Sequence, residues 1–127
     1  MKYIAHKDGE REQTIKEHLI GTATLAGQFA EKFGSKDWGY CGGMLHDIGK
    51  YSEEFQKKIN EDTNNMVDHA TAGAQLCKKI NLPVLDYCIA GHHAGLPDYG
   101  NTAERSSLCG RYKKKIYNYE AYQEEIK

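Results

Sequence analysis

Hydrophobic residues recur every three or four positions along most of this chain, which is the spacing of one face of an α-helix. In the clearest run, Thr14 and Glu17 fit a capping box at the start, and Gly34 ends the helix. Its inward-facing positions are predicted to be Ile15, Leu19, Ala23, Ala26, Ala30 and Phe33. Similar runs predict further helices at 37–46 and after Ser52, Asp68, Pro83 and Ala103.

No stretch shows the strict alternation of apolar and polar residues that marks a strand, so we predict an all-α domain. The 127 residues suffice for one hydrophobic core, and no linker or repeat divides them. We therefore expect residues 1–127 to form a single, compact helical bundle of about five to six helices. No apolar run approaches the roughly 20 residues of a membrane span, and no secretory signal is evident. These features favour a cytoplasmic protein without a membrane partner.

The most informative polar residues are the adjacent His46 and Asp47, which Gly49 and Lys50 follow. Imidazole and carboxylate together suit a divalent first-row metal. Adjacent residues on a helix diverge by about 100°, so both members of a doublet can ligate most easily where the helix ends. A second doublet is formed by His92 and His93. Gly49 and Gly95 lie close to the two doublets and make a helix end plausible at each. The proposed metal ligands are His18, His46, Asp47, His69, His92 and His93.

Such a ligand set suggests hydrolysis of a phosphate ester, because a bound divalent metal lowers the pKa of coordinated water. A carboxylate that can bridge, such as Asp47, suits two ions that stabilise the attacking and leaving oxygens together. Lys50, one turn after His46, would hold a phosphate oxygen as a point charge. For each histidine alone, the competing interpretation is a hydrogen-bonded core residue. His6 lies in the polar entry segment and is interpreted as non-functional.

The formal net charge is −1, so nucleic-acid binding would need a local patch or a partner. The basic cluster in the sequence holds Arg105, Arg111, Lys113, Lys114 and Lys115, with Tyr112, Tyr117, Tyr119 and Tyr122 among or after them. Bases stacked on tyrosine beside phosphate-binding lysines form one mode of single-strand binding, which would make Arg111, Lys113, Lys114 and Lys115 DNA-binding residues. A solvated helix face with tyrosines on its inner edge is the commoner explanation.

The histidine motifs resemble those of the HD superfamily of metal-dependent phosphohydrolases. The resemblance extends to the HD nuclease domain of the CRISPR-associated nuclease-helicase of type I systems, and it is greatest for type I-C. The motifs that carry it are Glu17–Leu19, Leu45–Lys50, Asp68–Ala70 and Gly91–Asp98. The stretches Leu108–Lys114 and Tyr119–Tyr122 are also similar to the following segment of type I-C members.

This resemblance implies a metal-dependent endo- or exonuclease that degrades single-stranded DNA opened by a guide-RNA surveillance complex. A helicase domain, in the same or a partner chain, would feed the strand. Asp47 would be shared by two metals, with His18 and His46 on one, and His69, His92 and His93 on the other. Manganese, iron, cobalt or nickel fit this histidine-rich set better than magnesium, with one or two ions bound.

The family pattern also includes a further metal-ligating aspartate on a later helix, yet no aspartate follows Asp98. We therefore expect an N-terminal fragment of a longer protein, a C-terminally incomplete domain, and weaker metal binding at His18 and His46. Two alternatives remain open. One is an HD phosphohydrolase acting on nucleotides or cyclic dinucleotides, and the other is a catalytically incomplete metal-binding piece.

Overall fold

Six α-helices form most of the computed structural model, which describes residues 2–61, 67–93 and 95–126. They are α1 (Ile15–Glu31), α2 (Lys36–Leu45), α3 (Glu53–Glu61), α4 (Ala70–Lys79), α5 (Leu85–Gly91) and α6 (Leu108–Lys113). Two short 3-10 helices span Ile48–Tyr51 and Glu120–Glu124. The prediction of a helical bundle with about five to six helices is confirmed. No helix in the described part of the chain is both long and apolar enough to cross a membrane.

Helix α1 begins where its capping box predicts. The Thr14 hydroxyl accepts a hydrogen bond from the Glu17 backbone N–H at 3.2 Å, which satisfies one free donor of the first turn. The helix ends at Glu31, and Gly34 follows in a left-handed conformation with φ +78°. Because Phe33 lies beyond this end, its side chain is 75% exposed, and the prediction that it faces inward is wrong.

Two glycines of α2 allow this helix to pack directly on the backbone of α1. A Cβ atom on Gly39 would lie 2.4 Å from the Ala26 carbonyl oxygen, and one on Gly43 would lie 2.4 Å from the Ala23 Cα. Any larger side chain at these positions would separate the two helices. The glycines of α2, although poor helix formers, therefore allow the close packing of α2 on α1.

A short antiparallel hairpin precedes α1, which the search for alternating apolar and polar residues does not identify. Strand β1 (Ile4–Asp8) pairs with β2 (Arg11–Thr14). The pairing is irregular between Ile4 and His6, where one extra residue enters β1. As a result two consecutive residues, Ile4 and Ala5, are buried, and the expected alternation of apolar and polar residues is lost.

Beyond α6 the chain leaves the helical path that the sequence predicts for the region after Ala103. The side-chain amide of Gln75 on α4 donates to the carbonyl oxygens of Arg111 and Lys114, each at 2.8 Å. Lys114 itself is extended, with ψ 134°. These bonds satisfy the carbonyls at the helix end, and the following segment packs against the main core through Ile116, Tyr119, Ala121, Tyr122 and Ile126.

Candidate metal centre

Four helices bring the proposed ligands together. His18 lies in the second turn of α1, whereas the other ligands stand at helix ends. His46 and Asp47 directly follow α2, His69 directly precedes α4, and His92 and His93 directly follow α5. Both doublets thus stand at the C-terminal ends of helices, where neighbouring side chains can converge. The negative end of the helix dipole also favours a cation there.

The carboxylate of Asp47 is the centre of this cluster, and each of its oxygens faces a different pair of histidines. Its Oδ2 lies 2.7 Å from His18 Nε2 and 3.2 Å from His46 Nε2. Its Oδ1 lies 3.1 Å from His92 Nε2 and 3.3 Å from His69 Nε2. His93 Nε2 lies 2.8 Å from His69 Nε2.

Two ligand groups therefore share one carboxylate. The first group consists of His18, His46 and Asp47, and the second of Asp47, His69, His92 and His93. Within each group the potential ligand atoms all lie within 4.8 Å of one another. The structure thus brings together all six residues that the sequence proposes as ligands, in the two groups that the resemblance implies. Their coordination of a metal remains a prediction.

Hydrogen bonds from two of the histidines to backbone carbonyls indicate whether this set of ligand atoms fits a metal. His46 Nδ1 donates to the Gly43 carbonyl and His92 Nδ1 donates to the Ile89 carbonyl, both at 2.6 Å. The proton on Nδ1 leaves the Nε2 lone pair of each neutral ring directed at the Asp47 carboxylate, which can only accept. A cation between these atoms removes the repulsion, and carbonyls that fix the tautomer in this way are typical of metal-binding histidines. The donor set therefore fits a divalent metal.

The electrostatics of the cluster keep the central carboxylate ionised. Burial raises the pKa of Asp47, but hydrogen bonds from the surrounding histidines outweigh burial and hold the pKa well below its ordinary range. Burial lowers the pKa of His92, yet its bonds to Asp47 and to the Ile89 carbonyl raise the pKa overall. Burial and the neighbouring His92 and His69 lower the pKa of His93. A histidine whose Nδ1 already donates to a backbone carbonyl can donate to Asp47 from Nε2 only as an imidazolium. A divalent metal would replace that Nε2 proton and leave the ionised carboxylate among neutral imidazoles, which is the protonation state that metal binding requires.

Lys50 belongs to the cluster, but it lies on the buried side of the carboxylate. Only 5% of its surface is exposed. Its Nζ lies 3.4 Å from Asp47 Oδ2 and donates to the Ala5 carbonyl at 3.2 Å. Burial lowers the pKa of Lys50, and Asp47 partly opposes this shift. The predicted role of Lys50 as a phosphate-binding residue would require the ammonium group to leave this buried position.

Gly49 explains how His69 comes so close to Asp47. A Cβ atom on Gly49 would lie 2.4 Å from the His69 carbonyl oxygen and 2.8 Å from its Cα. The backbone after Asp47 is therefore in contact with the backbone at the start of α4. The rings of Phe55 and His69 pack edge to face with their centroids 5.4 Å apart, which further restricts the imidazole.

His6 also lies at the cluster, although the sequence interpretation treated it as non-functional. Its ring packs edge-on against the His18 ring, with the centroids 4.8 Å apart. Burial, Lys50 and His18 lower the pKa of His6, in that order. The position depends on the irregular hairpin, and no spacing pattern in the sequence indicates it.

A cavity of about 1070 Å³ opens beside His69 and His93. Basic residues line much of it, and these are Lys58, Arg105, Arg111, Lys113, Lys114 and Lys115. Two of the four proposed DNA-binding residues already hold protein groups. Arg111 donates to the Thr71 hydroxyl and the Ala90 carbonyl, and Lys114 pairs with Asp68 at 2.5 Å. Binding of DNA by the four residues remains a prediction. Lys113 and Lys115 could contact a phosphate without first breaking the bonds that Arg111 and Lys114 make to protein groups.

Comparison with known proteins gives two findings. The family model described as the HD domain matches residues 15–122 of the chain. The chain is also 29% identical over 102 residues to a [1-hydroxy-2-(trimethylamino)ethyl]phosphonate dioxygenase (glycine-betaine-forming) of Leisingera caerulea. This alignment covers 75% of the chain and 50% of the relative, so the chain spans about half the length of that protein.

Proposed function

This chain belongs to the HD domain family, and on that basis we propose that it is a metal-dependent phosphohydrolase acting on phosphate esters. The observation that carries the proposal is the single carboxylate of Asp47, whose two oxygens face two separate histidine groups. A divalent ion held by such a group lowers the pKa of water and polarises a phosphoryl oxygen. Imidazole-rich donor sets favour manganese, iron, cobalt or nickel over magnesium.

Different residues of this chain would bind the divalent ion, balance the charge of the carboxylate and orient the imidazoles. Asp47 supplies an anionic oxygen to each group, and Lys50 compensates the carboxylate from its buried side. His46 and His92 keep their Nε2 lone pairs directed at the ligand groups, because their Nδ1 atoms donate to backbone carbonyls. Phosphoryl transfer needs mainly positioning and charge stabilisation, which a preorganised set of this kind provides.

Nucleotides and cyclic dinucleotides are the first substrates to consider, because the matching family model is that of the HD domain in general. A second candidate is single-stranded DNA. The basic wall of the cavity beside His69 and His93 supports a polyanionic substrate, and the motif resemblance adds the type I CRISPR nuclease. A helicase domain and a guide-RNA surveillance complex would then be partners.

The proposal is tested with protein loaded separately with Mn²⁺, Fe²⁺, Co²⁺, Ni²⁺ and Mg²⁺. Each form is given nucleotides, cyclic dinucleotides and circular single-stranded DNA. We expect ester cleavage that falls more than about 100-fold in Asp47→Asn, because second-sphere partners alone are worth about 10- to 100-fold. Asp37→Asn, an exposed change on α2, is the matched control and should keep full activity.

A parallel reaction contains the phosphonate named in the relative and molecular oxygen. Consumption of both, without cleavage of any ester, would assign the chain an oxygenase reaction and overturn the proposal. Cleavage that survives in Asp47→Asn would also contradict it. Cleavage of DNA but of no nucleotide would favour the second candidate, and the reverse result would favour the first.

A further inference from the structure

His6 is the one histidine of the chain that lies outside both ligand groups, and the structure describes all six. It stands on the exposed side of β1, and its ring meets the His18 ring nearly at right angles, with an interplanar angle of 84°. His18 is a member of the three-residue group with His46 and Asp47. A solvent-accessible imidazole therefore borders the smaller of the two ligand groups.

The irregularity in the hairpin explains how His6 reaches this place. In a regular strand, residues two apart share a face, so His6 would be on the same side as the buried Ile4. Ile4 pairs with Thr14, whereas His6 pairs with Gln13, so Ala5 is the extra residue of a bulge. Bulges redirect side chains and often occur beside active sites.

The bulge is itself attached to the centre of the cluster. The Ala5 carbonyl accepts a hydrogen bond from Lys50 Nζ at 3.2 Å, and the same ammonium lies 3.4 Å from Asp47 Oδ2. The backbone immediately before His6 is thereby fixed relative to the carboxylate. His6 therefore has a rigid base and an exposed ring, which is the arrangement of a side chain that contacts a ligand.

Two features determine what the ring can contact. A neutral imidazole offers one N–H donor and one acceptor, and among the described residues none forms a hydrogen bond with the His6 ring. Within the part of the chain that the structure describes, the neighbouring group has three protein ligands, which leaves at least one position open even for a four-coordinate ion. We propose that His6 is a substrate-binding residue that donates a hydrogen bond to a phosphoryl oxygen of the ester held at the His18–His46–Asp47 group. This inference rests on the proposed function.

A purely structural role would be different, since His6 would then only hold the His18 ring by aromatic packing. The variants His6→Phe and His6→Ala separate the two roles, because phenylalanine keeps the edge-to-face contact and loses the ring nitrogens. His6→Asn and His6→Gln keep a polar nitrogen near the two ring positions and lose the aromatic contact. Both roles predict a loss in the alanine variant, so the phenylalanine variant is decisive.

The experiment measures binding of inorganic phosphate to the Mn²⁺-loaded full chain by titration calorimetry, with manganese content and melting temperature determined for every variant. We expect His6→Phe and His6→Ala to weaken phosphate binding by about three- to tenfold, the value of one hydrogen bond. Manganese content should stay at the wild-type level, and His6→Asn or His6→Gln should recover part of the affinity. With bis(p-nitrophenyl) phosphate, KM should rise by a similar factor, while kcat changes less than about twofold.

Four results would overturn the inference. Wild-type phosphate affinity in His6→Phe would assign His6 to packing, and loss of manganese in that variant would assign it to the ligand group. If phosphate binding changes but KM does not, the contact is with free phosphate and not with the ester. If the loaded wild type neither binds phosphate nor cleaves any ester, the proposed function fails together with this inference. Failure of the variants alone leaves the proposed function intact.

Discussion

At the residue level, Lys50 compensates the charge of the buried carboxylate of the candidate metal centre. The Asp47 side chain is 5% exposed, and an ionised carboxylate in such a place is costly unless it is paired and hydrogen-bonded. The carboxylate contacts four histidines, and the buried side chain of Lys50 reaches the same carboxylate from the core. The four are His18, His46, His69 and His92. Its ammonium also satisfies the Ala5 carbonyl, which joins the hairpin to the cluster.

We therefore predict that Lys50→Met destabilises the protein even when no metal is bound. Removing one member of a buried ion pair leaves the other uncompensated, which costs about 3 kcal/mol in free energy of unfolding. Urea unfolding in the presence of a chelator measures this loss. Lys57→Met, an exposed change on α3, should stay within about 0.5 kcal/mol of the wild type. If both variants unfold like the wild type, Lys50 is free to serve the substrate instead.

At the level of elements, the contact between α1 and α2 sets the distance between their ligands. His18 on α1 and His46 after α2 place their Nε2 atoms 3.2 Å apart. Gly43 contributes twice, because its missing side chain admits the Ala23 backbone and its carbonyl accepts a hydrogen bond from His46 Nδ1. Helix packing and ligand orientation therefore depend on the same residue.

Gly43→Ala is predicted to lower the free energy of unfolding by about 2 kcal/mol, because the new Cβ would lie 2.4 Å from the Ala23 Cα and would force the helices apart. Gly21→Ala is the matched control, since Gly21 is exposed on α1 and a Cβ there would meet nothing within 4 Å. That change should stabilise the protein by about 0.5 to 1 kcal/mol, the helix preference of alanine. Urea unfolding of both variants checks the pair, and equal stabilities would contradict the prediction.

The same elements show which parts of the fold could be predicted. Thr14 and Glu17 predict the start of α1 because a capping box is a local interaction. The end of α6 at Lys113 was not predictable, because it depends on bonds from Gln75, about 40 residues away in sequence. Among the site residues, His46 and Asp47 stand out by their place at a helix end, whereas His6 reaches the site through a bulge that hydrophobic alternation cannot reveal.

At the level of the whole molecule, Tyr51 connects the candidate metal centre to the segment after α6. It lies in the 3-10 helix that follows Asp47, and only 2% of its surface is exposed. Its hydroxyl donates to the Glu125 carboxylate at 2.7 Å, while Tyr122 and Ile126 pack on the same core. The C-terminal part of the fold thus packs against the turn that presents the central carboxylate.

Because of this connection, the free energy of unfolding is expected to fall as the pH rises in the alkaline range. Burial and then the bond to Glu125 raise the pKa of Tyr51 above its ordinary value of about 10. Below pH 10 the tyrosine is protonated in both the folded and the unfolded chain, and its stabilising contribution is complete. Above pH 10 the unfolded chain loses the proton while the folded chain keeps it, so stability falls by up to about 1.4 kcal/mol per pH unit from this residue.

Tyr51→Phe should therefore be about 1.5 kcal/mol less stable than the wild type at pH 8, the value of a hydrogen bond to a charged group. This deficit should shrink between pH 10 and 11, because the variant lacks the group that titrates. Urea unfolding at pH 8, 10 and 11 measures both free energies, and curves that stay parallel would show that Tyr51 does not couple to pH. Glu125→Gln keeps a hydrogen-bond acceptor and should lose less stability at pH 8 than Tyr51→Phe, since only the charge on the acceptor is removed.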